Sequence, residues 1–490
     1  MSTPAAEVDL VVPASKPIHT QLPKPVLARF NRTDAGNAEM FARLFGDVVR
    51  FDHQRSRWLI WDNTRKRWLI DSTHSVRGLA IKTARARLER ALSLTASAED
   101  DENRFQRREI AWAIRSESRP LLDATLELAK SIPPVSDAGT AWDSNHFALG
   151  VANGLVDLRT GNLREEKPED RITKHSPVGF DSNATCPRFE KFLQTIFPGK
   201  PEMSAYVQKM MGYSLTGDIS EHRIFCHYGK GSNGKTTLFE IIRLLLGDYA
   251  VNIPFSALEV ARWGTGTANH ELVPLQGARF ATCSETSDGA RFNEARIKGL
   301  SGGDVVTARN LYQNSFTFKP THKLWLAFNH KPIVTDDTPG FWRRIDMIEY
   351  SKEFSGSEKD EKFLTKLEAE ASGILAFAVR GCLLWANEGL DRPPAVAAAT
   401  EGYRQETDVL SDFMAECCEL DQSSTVTSAA LWRCYEKWSK ESGEVLLPKQ
   451  TFLTRLSKQF NLKSDRIGHN GVRGWAGLRL GLGCGHADNR

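Results

Sequence analysis

The chain has 490 residues, 41% of them hydrophobic and 26% charged, with 64 Lys plus Arg against 61 Asp plus Glu for a formal net charge of +3. That length suits two to four domains with substantial cores and excludes a disordered or collagen-like chain, while near-neutrality leaves nucleic-acid binding to be decided by where the charges lie. The eight cysteines show no C-x-x-C and no paired Cys/His spacing, which disfavours a zinc site or a disulfide framework and fits reduced thiols in a cytoplasmic protein.

Residues 1–30, rich in Pro, Ser and Ala, read as a flexible arm; Val8 to Val12 is short and carries Asp9, so it makes a poor secretory segment. An α+β domain is expected over 31–200. Asp34 is placed to cap a helix over 37–45, and apolar, aromatic runs at 48–51, 57–61 and 67–70 read as short strands joined by hairpins. From 75 to 132 the periodicity is helical. Its arginines, among them Arg85, Arg87, Arg90, Arg107 and Arg108, alternate with acids and read as a solvated face before a nucleic-acid surface. Pro133-Pro134 interrupts the helices, Asn153 to Gly161 gives a strand and tight turn, and helices are expected over 187–197 and 203–213.

Residues 229–236 match the phosphate-binding pattern G-x-x-x-x-G-K-[ST] in full, between an apolar run at 223–228 and a helical pattern at 237–246 stopped by Gly247. Gly229, Gly231 and Gly234 let the backbone curl with its N–H groups inward, with Ser232 and Asn233 between them. Lys235 would neutralise the outer phosphates of a nucleoside triphosphate, and Thr236 would place its hydroxyl on Mg²⁺, with Thr237 beside it. A second carboxylate belongs at the end of a neighbouring strand. The run 279–285 ends in Ser284-Glu285, so Glu285 is expected to position water, act as base and help hold the metal. A short helix over 292–304, carrying Lys298, precedes a hairpin of strands at 305–312 and 316–319 that carries Arg309, Tyr312 and Lys319. A buried strand over 322–329 ends in Asn329, suited to the γ-phosphate or the attacking water. Beyond it, Gly340 to Ile345 carries Arg343 and Arg344, suited to a γ-phosphate across a subunit boundary. The apolar helix pattern at 371–385 contains Arg380 and is too short to span a bilayer.

The ATPase region is expected to run over 201–390, with a linker at 391–394 and a C-terminal domain over 391–490. From 448 to 480 seven Lys and Arg stand against Asp465 alone. A helical pattern through Phe452, Leu453, Leu456 and Phe460 leads to an Asn470-Gly471 turn signal and Arg473. That segment reads either as a DNA-binding helix and hairpin or as a solvated basic face.

The order of these motifs resembles the superfamily 3 helicases of the AAA+ class, and within them the phage/plasmid primase-helicases related to the poxvirus-type NTPase. Thr33-Asp-x-Gly-Asn-Ala38, Asn153 to Gly161 and Gly212-Tyr-x-Leu-Thr-Gly217 resemble the family's region ahead of the ATPase. Lys298-x-Leu-Ser-Gly-Gly-Asp304 resembles its extra motif, Phe318 to Pro332 its sensor-asparagine strand, and Trp342-Arg-Arg344 its arginine-finger region. The resemblance implies an α/β AAA+ P-loop core with an α+β N-terminal domain and a winged-helix-like C-terminal domain, using ATP and Mg²⁺. It further implies a homo-oligomeric ring, expected to be a hexamer, in the bacterial host cytoplasm and not at a membrane. Such a ring would translocate on single-stranded and forked DNA alongside a separate primase or other replication proteins. The hairpin's Arg309, Tyr312 and Lys319, with Lys298 and Arg473, would then meet DNA, although packing or pairing with neighbouring carboxylates is an equal reading for the hairpin side chains and for Lys298. Ser284 stands where many relatives have a second acid, and no room precedes Asn31 for the polymerising primase module of some relatives, so primer synthesis is not expected. The alternative is an ATP-switched origin-binding or scaffolding protein without unwinding. A small-molecule phosphotransferase fits poorly with the hairpin and the basic tail.

Overall fold

A computed structural model describes residues 30–94, 100–260, 270–284, 290–309, 314–336, 338–444, 446–467 and 472–481; the arm expected over 1–30 lies almost wholly outside them. Helix α1 (Asp34–Phe45) is capped by Thr33, whose hydroxyl accepts from the Gly36 N–H at 3.1 Å. Asp34 is therefore the first helical residue and not the cap. Strands β1 (Val49–Asp52), β2 (Arg57–Asp62) and β3 (Arg67–Ile70) form an antiparallel meander. Three helices come next, α2 (Ser75–Leu92), α3 (Asp100–Ser116) and α4 (Arg119–Ala129), before β4 (Ser136–Asp137) pairs parallel with β1. One arginine departs from the expected solvated face. Arg87 is wholly buried, its Nε donating to Glu109 at 2.8 Å and its other nitrogens to the Phe30 carbonyl and Asn37. A buried guanidinium so paired ties α2 to α3 and α1.

A second meander, β5 (Ala148–Val151), β6 (Gly154–Asp157) and β7 (Asn162–Arg164), leads to α5 (Pro187–Ile196) and α6 (Pro201–Leu215). These elements share one hydrophobic core with the C-terminal side of the chain: Leu149, Phe189, Phe192 and Met210 pack with Leu238, Ile241, Phe377 and Cys382. The core thus runs across the expected boundary at 200. A separate cluster of Leu59, Trp61, Trp68 and Trp142 closes the N-terminal part.

The centre is a parallel five-stranded sheet in the order β14-β8-β13-β10-β9. Its elements are β8 (Ile224–Tyr228), α7 (Lys235–Leu246), β9 (Ala250–Asn252), β10 (Phe280–Ser284), α8 (Glu294–Gly302), the hairpin β11 (Val306–Arg309) and β12 (Ser315–Phe318), β13 (Lys323–Phe328), the single turn α9 (Pro339–Trp342) and β14 (Ile345–Glu349). Buried Arg279 and Lys323, just ahead of or at the start of β10 and β13, donate to the Leu215 and Thr216 carbonyls at the end of α6, where cations offset the helix dipole. Helices α10 (Phe363–Glu368), α11 (Ala371–Glu388) and α12 (Pro394–Glu406) complete the body. The Met347 N–H donates to Thr400 Oγ1 at 3.1 Å, and Tyr403 belongs to the sheet's core. The core therefore continues past the expected linker to the end of α12.

The C-terminal part runs α13 (Val409–Cys417), β15 (Cys418–Thr427), α14 (Ser428–Ser442), α15 (Lys449–Gln459), β16 (Ser464–Ile467) and β17 (Val472–Leu480), with sheet order β15-β17-β16 and its own core around Phe413, Tyr435, Phe452 and Leu456. The expected Asn470-Gly471 turn lies outside the described residues. Among the described residues no helix is long and apolar enough to cross a membrane.

Candidate functional site

In a parallel sheet all strand C-termini meet one edge, and the glycine-rich loop 229–234 leaves β8 there to enter α7. Three loop residues hold positive φ: Gly231 at 114°, Ser232 at 45° and Gly234 at 87°. Gly234 also has no room for a side chain, since a Cβ would stand 2.9 Å from Ile196 and 3.0 Å from the Phe192 ring. The Ser232 carbonyl accepts from the Phe354 N–H at 2.7 Å. Asn233 is 4% exposed, with its Oδ1 3.5 Å from the Lys235 N–H and its Nδ2 buried without a protein partner.

Lys235 is buried at the first position of α7. Its ammonium reaches the Gly229 carbonyl at 2.5 Å and Asn329 Oδ1, at the end of β13, at 3.3 Å. Burial lowers its pKa to about 8, and no carboxylate offsets the shift. A buried ammonium served only by amide oxygens, beside a glycine-rich loop at a helix N-terminus, fits a phosphate chain. Thr236 is exposed in the first turn and Thr237 half-buried, so the Thr236 hydroxyl is open to a phosphate-borne metal. Strand β10 brings the Ser284 backbone to the same edge, in register with Ala327; Glu285 lies outside the described residues. Among those residues no group of three His, Cys, Asp or Glu side chains is placed to hold a metal alone. Mg²⁺ would be held by Thr236 and the phosphates, and the other expected ligand, Glu285, lies outside the described residues.

The arginines sit at the other edge. Arg343 and Arg344 immediately precede β14, and the Arg344 carbonyl accepts from Ile224 at the start of β8. Five residues of strand, roughly 17 Å, therefore separate them from the glycine loop. The two side chains differ. Arg343 is exposed. Arg344 turns back to the Gly340 carbonyl and packs near Gly302, with its Nε buried; burial, then the charge of Arg343, lowers its pKa.

The hairpin β11–β12 alternates: Val306, Ala308 and Phe318 are buried, while Arg309 and Lys319 face solvent. Tyr312 lies outside the described residues. Lys298, for which DNA contact and a carboxylate partner are equal readings of the sequence, is paired with Asp336 and 3.2 Å from Thr338 Oγ1. Arg473 is exposed on β17 in register with Arg466. Sequence reasoning missed Phe192 and Ile196 behind Gly234, whose apolar spacing signals only a helix face. It also missed Glu294, Thr335 and Asp336 around Lys298, where Asp336-Asp-Thr338 before Pro339 is a helix-start signal.

The profile described as D5 N terminal like matches residues 38–198, a family of unknown function matches 227–344, and Poxvirus D5 protein-like matches 405–471. The "Putative helicase" of Acanthamoeba polyphaga mimivirus is 28% identical over 397 residues, covering 75% of this chain and 40% of the relative. That of Frog virus 3 is 23% identical over 430 residues, covering 70% and 43%. The "Putative primase" of African swine fever virus is 24% identical over 299 residues, covering 56% and 31%. The chain thus spans less than half the length of these relatives. A solved structure, the apo NrS-1 C terminal region, overlaps 91% of this chain and 99% of its own at 10% identity, with a TM-score of 0.49.

Proposed function

Since this chain belongs to the D5-type helicase/primase family, we propose that it is an ATP-driven DNA helicase of a phage, plasmid or other mobile element. On this reading it is a superfamily 3 motor that assembles as a ring, a hexamer by the family resemblance, and translocates on single-stranded DNA. The observation that carries the reading is the separation of the two halves of one active site. Lys235 and Asn329 stand at the C-terminal edge of the sheet, and exposed Arg343 at the opposite edge. On this reading a guanidinium so far from its own cradle would serve a triphosphate held by another copy. The strand order supports the AAA+ class, and the succession of helix, strand, two helices and two strands after Asp408 supports a winged helix carrying Arg473.

In this reading the glycine loop and Lys235 bind ATP, Asn329 and Glu285 hold the attacking water, and Thr236 with Glu285 carries Mg²⁺, which would add charge neutralisation at the phosphates. The hairpin, with Arg309, Tyr312 and Lys319, grips the strand in the ring's pore. Strand displacement on a forked duplex is the test, with ATP turnover measured with and without single-stranded DNA. The wild-type protein should unwind and be stimulated, while Lys235→Ala should bind DNA and unwind nothing. DNA binding with ATP turnover but without displacement would favour an origin-binding switch instead.

A further inference from the structure

Helix α8 touches the Arg343-bearing element at both ends and then runs straight into the hairpin. At its start, Glu294 accepts from the Thr335 N–H at 2.7 Å and from its hydroxyl at 2.8 Å. In its middle, the Lys298 ammonium lies on the Asp336 carboxylate and 3.2 Å from Thr338 Oγ1, at the residue before α9. Asp336 in turn accepts from the Thr338 N–H at 2.9 Å. At its end, the Arg344 guanidinium packs near Gly302, within reach of the charge on Asp304, where a cation offsets the helix dipole. One residue on, Gly303 turns at φ 85° and β11 begins at Val306. The element from Thr335 to Arg344 and the root of the hairpin are thereby held against a single helix.

We infer that α8 is a strut that fixes Arg343 in register with the pore hairpin of its own subunit, with Lys298 and Arg344 as positioning residues. The inference rests on the ring reading and deepens it. A hairpin rigidly joined to the arginine that meets the neighbour's γ-phosphate moves with the nucleotide state of that neighbour. Neither positioning residue touches nucleotide or strand. Lys298 acts through Asp336 and Thr338, and Arg344 through Gly340 and the end of α8.

The experiment compares Lys298→Ala, Lys298→Arg, Arg343→Ala and the double variant Lys298→Ala/Arg343→Ala in the full chain, with thermal melting to monitor folding. Lys298→Ala should cut turnover at saturating ATP and DNA about tenfold, as small displacements of a reacting group do. The KM for ATP and the Kd for single-stranded DNA should stay at wild-type values. Lys298→Arg should recover most of the turnover, and the double variant should turn over no more slowly than Arg343→Ala. Should Lys298→Ala not fold, Asp336→Asn removes the same ion pair and carries the comparison. A Lys298→Ala protein that binds DNA more weakly but turns over normally at saturation would overturn the inference in favour of a strand contact. So would a double variant slower than Arg343→Ala. If Arg343→Ala itself turns over normally, the ring reading fails; if it is inactive while Lys298→Ala is unaffected, only the strut fails.

Discussion

Lys235 is a cation placed where a cation is disfavoured, and that makes its titration visible. Burial lowers its pKa from 10.5 to about 8, whereas a bound triphosphate would stabilise the ammonium and raise it again. Below about pH 7 the site therefore already holds its proton and binding is pH-independent through this group, but above about pH 8 binding must take up a proton and weakens by up to tenfold per pH unit. Calorimetric titration with ATP in buffers of different ionisation enthalpy should show uptake approaching one proton near pH 9 and none near pH 7. Lys235→Met should abolish the difference, and heats independent of the buffer at both pH values would contradict the assignment. Asn329 makes a separable contribution. Its amide touches Lys235 Nζ at 3.3 Å but it is not part of the loop. Asn329→Ala should lower kcat roughly a hundredfold with little change in KM, as expected for a group engaged mainly in the transition state.

At the scale of elements, the contact between α6 and α11 is backbone on backbone. A Cβ on Gly212 would come 2.0 Å from the Cys382 nitrogen, and one on Gly381 would come 2.0 Å from the Gln208 carbonyl oxygen. Nothing flexible stands there to yield. Gly212→Ala should lose about 3 kcal/mol or more in a denaturant melt, the upper range for overpacking. Gly402→Ala, in a helix with nothing near its Cβ, should instead gain about 0.5–1 kcal/mol from reduced backbone freedom in the unfolded chain. Equal effects at the two glycines would refute the packing argument. The same elements show what the sequence can carry. The strand, loop and helix around Lys235 were legible because glycine and lysine spacing there is dictated by phosphate geometry. The hairpin was legible from its alternation. Strand β15 was not, because Cys418 to Thr427 is mostly polar and has one strand neighbour, β17, to organise it. Nor was the core that α5 and α6 share with the helices after Lys235: their apolar faces read alike whichever sheet they cover. Lys298 and Arg344 looked like their neighbours in the chain, and only the approach of Asp336 and Gly302 in space separates them from Arg309 and Arg343.

For the whole molecule, the ring reading assigns the two halves of each site to neighbouring copies. The lysine cradle and Asn329 share one edge of the sheet with the Ser284 backbone, while Arg343 and the hairpin root share the other. A subunit carrying Lys235→Ala keeps its arginine, and one carrying Arg343→Ala keeps its cradle. Each pure variant should keep only a small residual turnover, since every interface in it lacks one half. When the two are mixed and allowed to exchange, an interface is restored wherever the cradle of the second variant meets the arginine of the first, about a quarter of interfaces for random head-to-tail assembly. ATP turnover of the mixture should accordingly rise from near zero to roughly a quarter of wild type. The figure comes from heterologous contacts alone and does not depend on ring size. A two-fold dimer, in which both halves face each other, would also complement, and sedimentation of the mixture with ATP distinguishes it from a closed ring. A mixture as inactive as its parents, with exchange verified by fluorescence transfer between labelled subunits, would mean that Arg343 does not complete a neighbour's site.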